Sequence, residues 1–252
     1  MKKFVRFQDG QTTAYGVLDG DSVQPIEGDL FRSDKATGAP VPVSRIKLLY
    51  PVKAPKIFAV GLNYKSHLGT RPAPAQPEIF YKPISALQNP GDPIIIPPQS
   101  KNLHAEGEMV AVIGRRASRI SVDEARTAVL GVTCGNDVSE RDWQGGPAKD
   151  LQWWRAKGAD TFAPLGPCVV TGMDYGNRLL TTRVNGNVVQ QQYTSDLLFD
   201  VPTIVSYISQ WVTLEPGDLI YTGTPGSTSK LNPGDVVEVE IEGIGVLRNA
   251  VE

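Results

Sequence analysis

The chain has 252 residues, and its 25 Lys and Arg against 27 Asp and Glu leave a formal charge of −2. That balance, with no basic block anywhere, excludes a nucleic-acid footprint or a polybasic membrane contact, and no apolar run approaches spanning length. A small soluble partner is the expectation, and Cys134 and Cys168, far apart in sequence, read as reduced core residues of a cytoplasmic protein rather than a disulfide or zinc pattern.

The first fifty residues read as short strands separated by turns: "KKFVRFQ", "TAYGVL", a turn at "DGDS", then "SVQPIEG". They predict a small N-terminal β-rich domain over residues 1–52. Pro51 and Pro55 bracket the stiff connection "PVKAP", which places the boundary within it, with a second domain over residues 53–252. The 25 Gly and 20 Pro are too many for a helical bundle and suit a mixed, β-rich α+β architecture. "NPGD" at 89–92, "EPGD" at 215–218 and "NPGD" at 232–235 each place Pro and Gly at the centre of a type II turn.

The stretch "LHAEGEMVAVIG" raises a chemical question. Met109 to Ile113 predict a strand buried on both faces, yet Glu106 and Glu108 stand at its entrance. Residues two apart on a strand share a side, so these carboxylates repel unless a cation lies between them. His104, two residues earlier, reads as a hydrogen-bond partner near that strand or as a proton carrier. Further along, "SVDEARTAVL" opens with a capping box from Ser121 to Glu124 and predicts a helix. The apolar run from Ala128 to Cys134 predicts a helix end and then a buried strand, and Asp137 stands where it ends. Three carboxylates, with the remaining positions left to water or substrate, suit Mg²⁺ or Mn²⁺ better than zinc. "VPTIVSYISQW" predicts a second helix with Ile204, Val205, Ile208 and Trp211 on one face. "VVEVEIEG" alternates as a half-buried strand whose acidic side faces water.

Taken in order, "VGLNYKSH", "KPISAL", "HAEGEMVAVIG", "GNDVSERDWQ", "KGADTFAPLGP", "TLEPGDLIYTGTP" and "VEIEGIGVLRN" resemble the signature stretches of the fumarylacetoacetate hydrolase family over about residues 52–252. The resemblance implies a mixed β-roll catalytic domain preceded by a small N-terminal β domain, and a homodimer. It implies Glu106, Glu108 and Asp137 as ligands of Mg²⁺ or Mn²⁺. It implies Lys157 as the lysine that contacts substrate and stabilises a developing enolate, and His67 as a base on a lid segment. Gln144, Thr224 and Arg141 match positions lining the pocket, with Tyr64 and Lys82 as further substrate contacts. The implied substrate is a small oxo acid, with no nucleic acid or membrane as partner.

One position departs from the pattern. Hydrolytic and decarboxylating members commonly carry a glutamate three residues after the lid histidine, and this chain has Thr70 there. A histidine without a carboxylate partner is a weaker base, and its tautomer needs another anchor. Glu78, on the same Pro-rich segment, is a candidate substitute. Gly69 and the three prolines of "TRPAPAQPE" predict a hinge followed by a semi-rigid flap. The leading expectation is metal-dependent C–C bond cleavage of 2-oxo or 1,3-diketo acids, by acylpyruvate-type hydrolysis or oxaloacetate-type decarboxylation. The alternatives are an isomerase or decarboxylase of aromatic-catabolism dicarboxylates, and a catalytically impaired metal-binding scaffold. "TGTPGSTSK" lacks the phosphate-loop spacing, and a nucleotide-dependent activity is discounted.

Overall fold

A computed structural model describes residues 1–252. The fold is mixed α+β, dominated by a large sheet, with a small N-terminal β region. Along the main path of that sheet, Lys2–Asp9 is followed by Ala163–Thr171, Val129–Asn136, Gly107–Ile113, Leu219–Tyr221, Ile57–Gly61 and Glu78–Lys82. A four-stranded sheet, Asn187–Tyr193, Leu179–Val184, Val236–Ile241 and Gly245–Ala250, packs on one face of it.

Packing on both sides explains the apolar run in Gly107–Ile113, where every residue is buried. Met109, Ala111 and Ile113 join a core that includes Leu180, Val239 and Leu247 of the four-stranded sheet. Val110 and Val112 point the other way, into a second core with Ile57, Leu165 and Tyr221. From Met109 to Ile113 both faces meet apolar cores, so alternation disappears, and Glu108 at the strand's entrance is its one charged residue. Val236–Ile241 is covered on one face only, and there the alternation returns: Val237, Val239 and Ile241 are buried while the glutamates between them are partly exposed.

The three Pro-Gly turns have the expected backbone, with φ of +82° at Gly91, +91° at Gly217 and +88° at Gly234. Four α-helices are short: α1 Val122–Arg126, α2 Arg141–Gly145, α3 Trp154–Gly158 and α4 Val201–Ser209. Ser121 and Glu124 close the capping box on α1, and Asp200 caps α4 through the Thr203 N–H at 2.9 Å. The expected helical face of Trp211 does not form. The helix ends at Ser209, Trp211 is 78% exposed, and Leu214 takes the next core position instead.

The two central strands leave the large sheet at matching points. Leu103–Ala105 precedes Gly107–Ile113 and pairs with Ser139–Glu140, which follows Val129–Asn136. The residues at the two breaks are Glu106 and Asp137. The Asp137 N–H donates to the Glu106 carbonyl at 2.9 Å, and the Glu106 N–H donates to the Asn136 side chain at 2.9 Å. A bend shared by two paired strands therefore turns both carboxylates to one place. No helix is long and apolar enough to cross a membrane.

Candidate active site

Glu106, Glu108 and Asp137 offer carboxylate oxygens that all lie within 4.8 Å of one another. All three residues are buried, at 4%, 2% and 1% exposure. Gly107, between the two glutamates, permits this approach. A Cβ there would stand 2.0 Å from the Thr182 hydroxyl of the four-stranded sheet, so only glycine lets that sheet close over the strand.

Cations answer the charge from several sides. Lys157, on α3, donates to Glu106 at 2.5 Å and to Asp137 at 2.6 Å. Arg141, the first residue of α2, donates to Glu106 at 2.5 Å, and Lys82 donates to Asp137 at 2.6 Å. Glu108 has no such partner and accepts only from the Gly223 N–H, at 2.7 Å. Its pKa is pushed well above the ordinary value, by burial first and then by the charges of Asp137 and Glu106. Burial also raises Glu106, but the ammonium of Lys157 and the guanidinium of Arg141 outweigh it and hold this carboxyl well below the usual range. Lys157 is the converse. Burial lowers it, Asp137 and Glu106 outweigh the burial, and its pKa is raised.

The donor set fits a hard divalent cation. It is all oxygen, contains no His or Cys, and holds Glu108 beside two more carboxylates without a cation of its own. Mg²⁺ or Mn²⁺ at Glu106, Glu108 and Asp137 would relieve that repulsion.

Above the carboxylates lies a cavity of about 440 Å³. Of the residues expected from sequence, His67, Arg141, Gln144, Lys157 and Thr224 line it together with the three carboxylates. Gln144 accepts from Arg141 at 2.6 Å. Thr224 donates to the Gly107 carbonyl at 2.9 Å. Tyr64 and Lys82 do not line it. Lys82 is wholly buried behind Asp137 and also holds the main-chain carbonyl of Lys157, so it braces the carboxylate and α3. Tyr64 is buried, with a hydroxyl that has no partner. His104 has both ring nitrogens engaged, by Thr228 at 2.9 Å and Asn102 at 3.0 Å. Thr228 in turn accepts from Arg141 at 2.9 Å, so His104 completes a hydrogen-bond network.

His67 ends a short 3₁₀ turn, Lys65–His67, and its Nδ1 contacts the carbonyl of Gly226. A carbonyl only accepts, so Nδ1 carries the proton and Nε2 is left with a free lone pair. Glu78 does not substitute for the missing glutamate. It opens the Glu78–Lys82 strand opposite Gly61 and is exposed, with no bond to the ring. Sequence reading did not single out Arg71, Phe80 and Trp153, which also line the cavity. Phe80 and Trp153 meet edge to face at 5.5 Å and 76°. Their one local signal is aromatic composition, which core residues share.

Comparison with known proteins agrees with this architecture. Residues 56–252 match the fumarylacetoacetate (FAA) hydrolase C-terminal family, and residues 2–51 match the Rv2993c-like N-terminal family. An uncharacterized protein of Archaeoglobus fulgidus is 47% identical over 226 residues, 89% of this chain and 88% of that one. A Bos taurus protein named oxaloacetate tautomerase FAHD2A, mitochondrial, is 42% identical over 236 residues, 88% of this chain and 75% of that one. The crystal structure of 2-hydroxyhepta-2,4-diene-1,7-dioate isomerase from Mycobacterium marinum superposes with a TM-score of 0.92 at 39% identity, covering 100% of this chain and 98% of that one. With its catalytic-region match and an acidic cluster in a buried strand bend, this chain belongs to the fumarylacetoacetate hydrolase family.

Proposed function

We propose that this protein is a Mg²⁺- or Mn²⁺-dependent enzyme that moves protons on an enolisable 2-oxo acid, interconverting keto and enol forms or shifting a double bond. The observation that carries the reading is the state of His67. Its ring is anchored by the neutral carbonyl of Gly226 and by no carboxylate, which fixes the tautomer and turns Nε2 into the proton-accepting atom. Proton transfer between carbon and oxygen needs one positioned base and no bound water nucleophile, whereas hydrolysis needs both. The names borne by two relatives, an oxaloacetate tautomerase and a diene-dioate isomerase, support the same reaction class.

A divalent cation at the three carboxylates would draw electron density from the 2-oxo group and acidify the neighbouring C–H. Nε2 of His67 then takes the C3 proton. The C–H electron pair becomes the C2–C3 double bond, and the carbonyl pair moves onto the 2-oxo oxygen. Lys157, whose ammonium group lies against Glu106 and Asp137 at the floor of the cavity, meets that negative charge. His67 returns the proton to the oxygen, giving the enol, or to a more distant carbon of a conjugated chain, giving the isomer. No water is consumed.

A second reading, decarboxylation of an oxaloacetate-type acid, uses the same electron sink. It is favoured by the position of Lys157 between Glu106 and Asp137. NMR time courses in D₂O, with metal-loaded protein against an EDTA control, separate the outcomes. Metal-dependent keto–enol interconversion and C3 deuteration of oxaloacetate, lost in His67→Ala, are the expected result. Pyruvate from oxaloacetate would establish the decarboxylase. Acetate plus pyruvate from acetylpyruvate would overturn the reading in favour of hydrolysis.

A further inference from the structure

Four basic side chains line the cavity: His67, Arg71, Arg141 and Lys157. Three are already engaged, His67 by Gly226, Lys157 by Glu106 and Asp137, and Arg141 by Glu106, Gln144 and Thr228. Arg71 is different. Its main-chain N–H donates to the Leu68 carbonyl at 3.1 Å, while its guanidinium has no ion pair and no hydrogen bond, and the residue is exposed at the rim. Pro72 follows it and disfavours helical backbone at Arg71, which limits how far the residue can rearrange.

The charge balance gives that free guanidinium a purpose. The three carboxylates are matched by three cationic side chains, Lys82, Lys157 and Arg141. A bound divalent cation together with Arg71 therefore leaves a positive surplus, which a dianionic substrate offsets better than a monoanion. The guanidinium fork suits a carboxylate bidentately. The cavity's 440 Å³ is ample for a second carboxylate, and Phe80 and Trp153 give it an apolar wall for the carbon chain that joins the two ends.

We propose that Arg71 forms a second anion subsite, which binds the distal carboxylate of a 2-oxo dicarboxylic acid and sets a preference for dicarboxylates over monocarboxylates. The proposal rests on reading the cavity as a 2-oxo acid site. Its test reads binding, so that a failure of the proton-transfer chemistry is seen separately in the NMR experiment.

Calorimetric titrations of Mg²⁺-loaded protein with 2-oxoglutarate and with 2-oxopentanoate compare two acids of equal chain length that differ in the distal carboxylate. Wild type is expected to bind the dicarboxylate roughly tenfold more tightly, the size of one charge-assisted contact. Arg71→Ala should bring the ratio close to one while leaving 2-oxopentanoate affinity unchanged, and Arg71→Lys should restore part of it. No dicarboxylate preference in wild type, or a ratio that survives in Arg71→Ala, overturns the proposal. So does an equal loss for both acids, which would reduce Arg71 to a general electrostatic effect.

Discussion

Glu108 is where burial and charge conflict most sharply, and burial and the neighbouring carboxylates both favour its neutral form when no cation is bound. Burial, then Asp137 and Glu106, raise its pKa well above 4.5, while Lys157 and the Gly223 N–H pull against them. A carboxyl whose folded pKa lies above its unfolded value binds more proton in the native state. Metal-free stability therefore falls as pH rises from 4.5 toward that folded pKa. Glu106 runs the other way, because its folded pKa is depressed. Its contribution is present above 4.5 and is lost as pH falls below it. A divalent cation needs Glu108 ionised and must displace its proton. Mg²⁺ affinity is accordingly expected to rise with pH, with release of about one proton per ion at the acidic end of that range. Calorimetry in two buffers of different ionisation enthalpy measures the released proton directly. Glu108→Gln should abolish the release and weaken binding severely. A pH-independent affinity without proton release would show Glu108 already ionised in the metal-free protein.

At the scale of elements, the base is held by a turn and two loops. The Ser66 N–H donates to Asp196 at 3.0 Å, the Gly226 N–H donates to the Ser66 hydroxyl at 3.3 Å, and the Gly226 carbonyl accepts the hydrogen bond from His67 Nδ1. Gly226 sits at φ +55°, a conformation glycine adopts without the cost a side chain adds. Ser66→Ala removes the acceptor of the Gly226 N–H and loosens the carbonyl that fixes the ring. The expected result is a several-fold fall in kcat with little change in KM, and an altered pH–rate profile, from an interaction worth about 1 kcal/mol. Unchanged kcat and profile would mean that the carbonyl is positioned by its loop alone. This anchor was invisible in the sequence, since Ser66, Asp196 and Gly226 meet only through the fold. The carboxylates were legible because Glu106, Glu108 and Asp137 interrupt apolar runs at strand ends, where packing gives no reason for charge. Lys82 was not, because a lysine reads the same in sequence whether it is solvated or locked behind Asp137, 55 residues away. Arg71 became notable only once its neighbours proved to be paired and it did not.

For the whole molecule, the question is whether the N-terminal region can be separated from the catalytic sheet. The sequence division at residue 52 follows turns and prolines, which report where the chain bends. Hydrogen bonding across the division was not legible, because strand pairing between distant segments leaves no local mark. Lys2, Lys3 and Phe4 pair with Thr171, Val170 and Val169, so the first strand continues the sheet that carries Glu108. Val5 and Phe7 are buried at 0% and 2% exposure in the core that also holds Met109 and Val132. Phe4 enters the opposite core beside Val110 and Val112. Each such side chain contributes about 1.5–3 kcal/mol by burial, and a whole domain has a margin of only about 5–15 kcal/mol. Deleting residues 1–52 removes several of them at once and leaves Val169–Thr171 without a partner strand on that side, an open edge that is a template for aggregation. Residues 53–252 alone are therefore expected to be insoluble or unfolded by circular dichroism. Phe7→Ala in the full chain keeps the edge covered and isolates the packing. It should cost about 3–5 kcal/mol and lower the melting temperature in one transition, with the Mg²⁺-induced shift in Tm retained below it. Two transitions, with only the first moved by Phe7→Ala and only the second by Mg²⁺, would mean that the shared strand pairing does not couple the two regions.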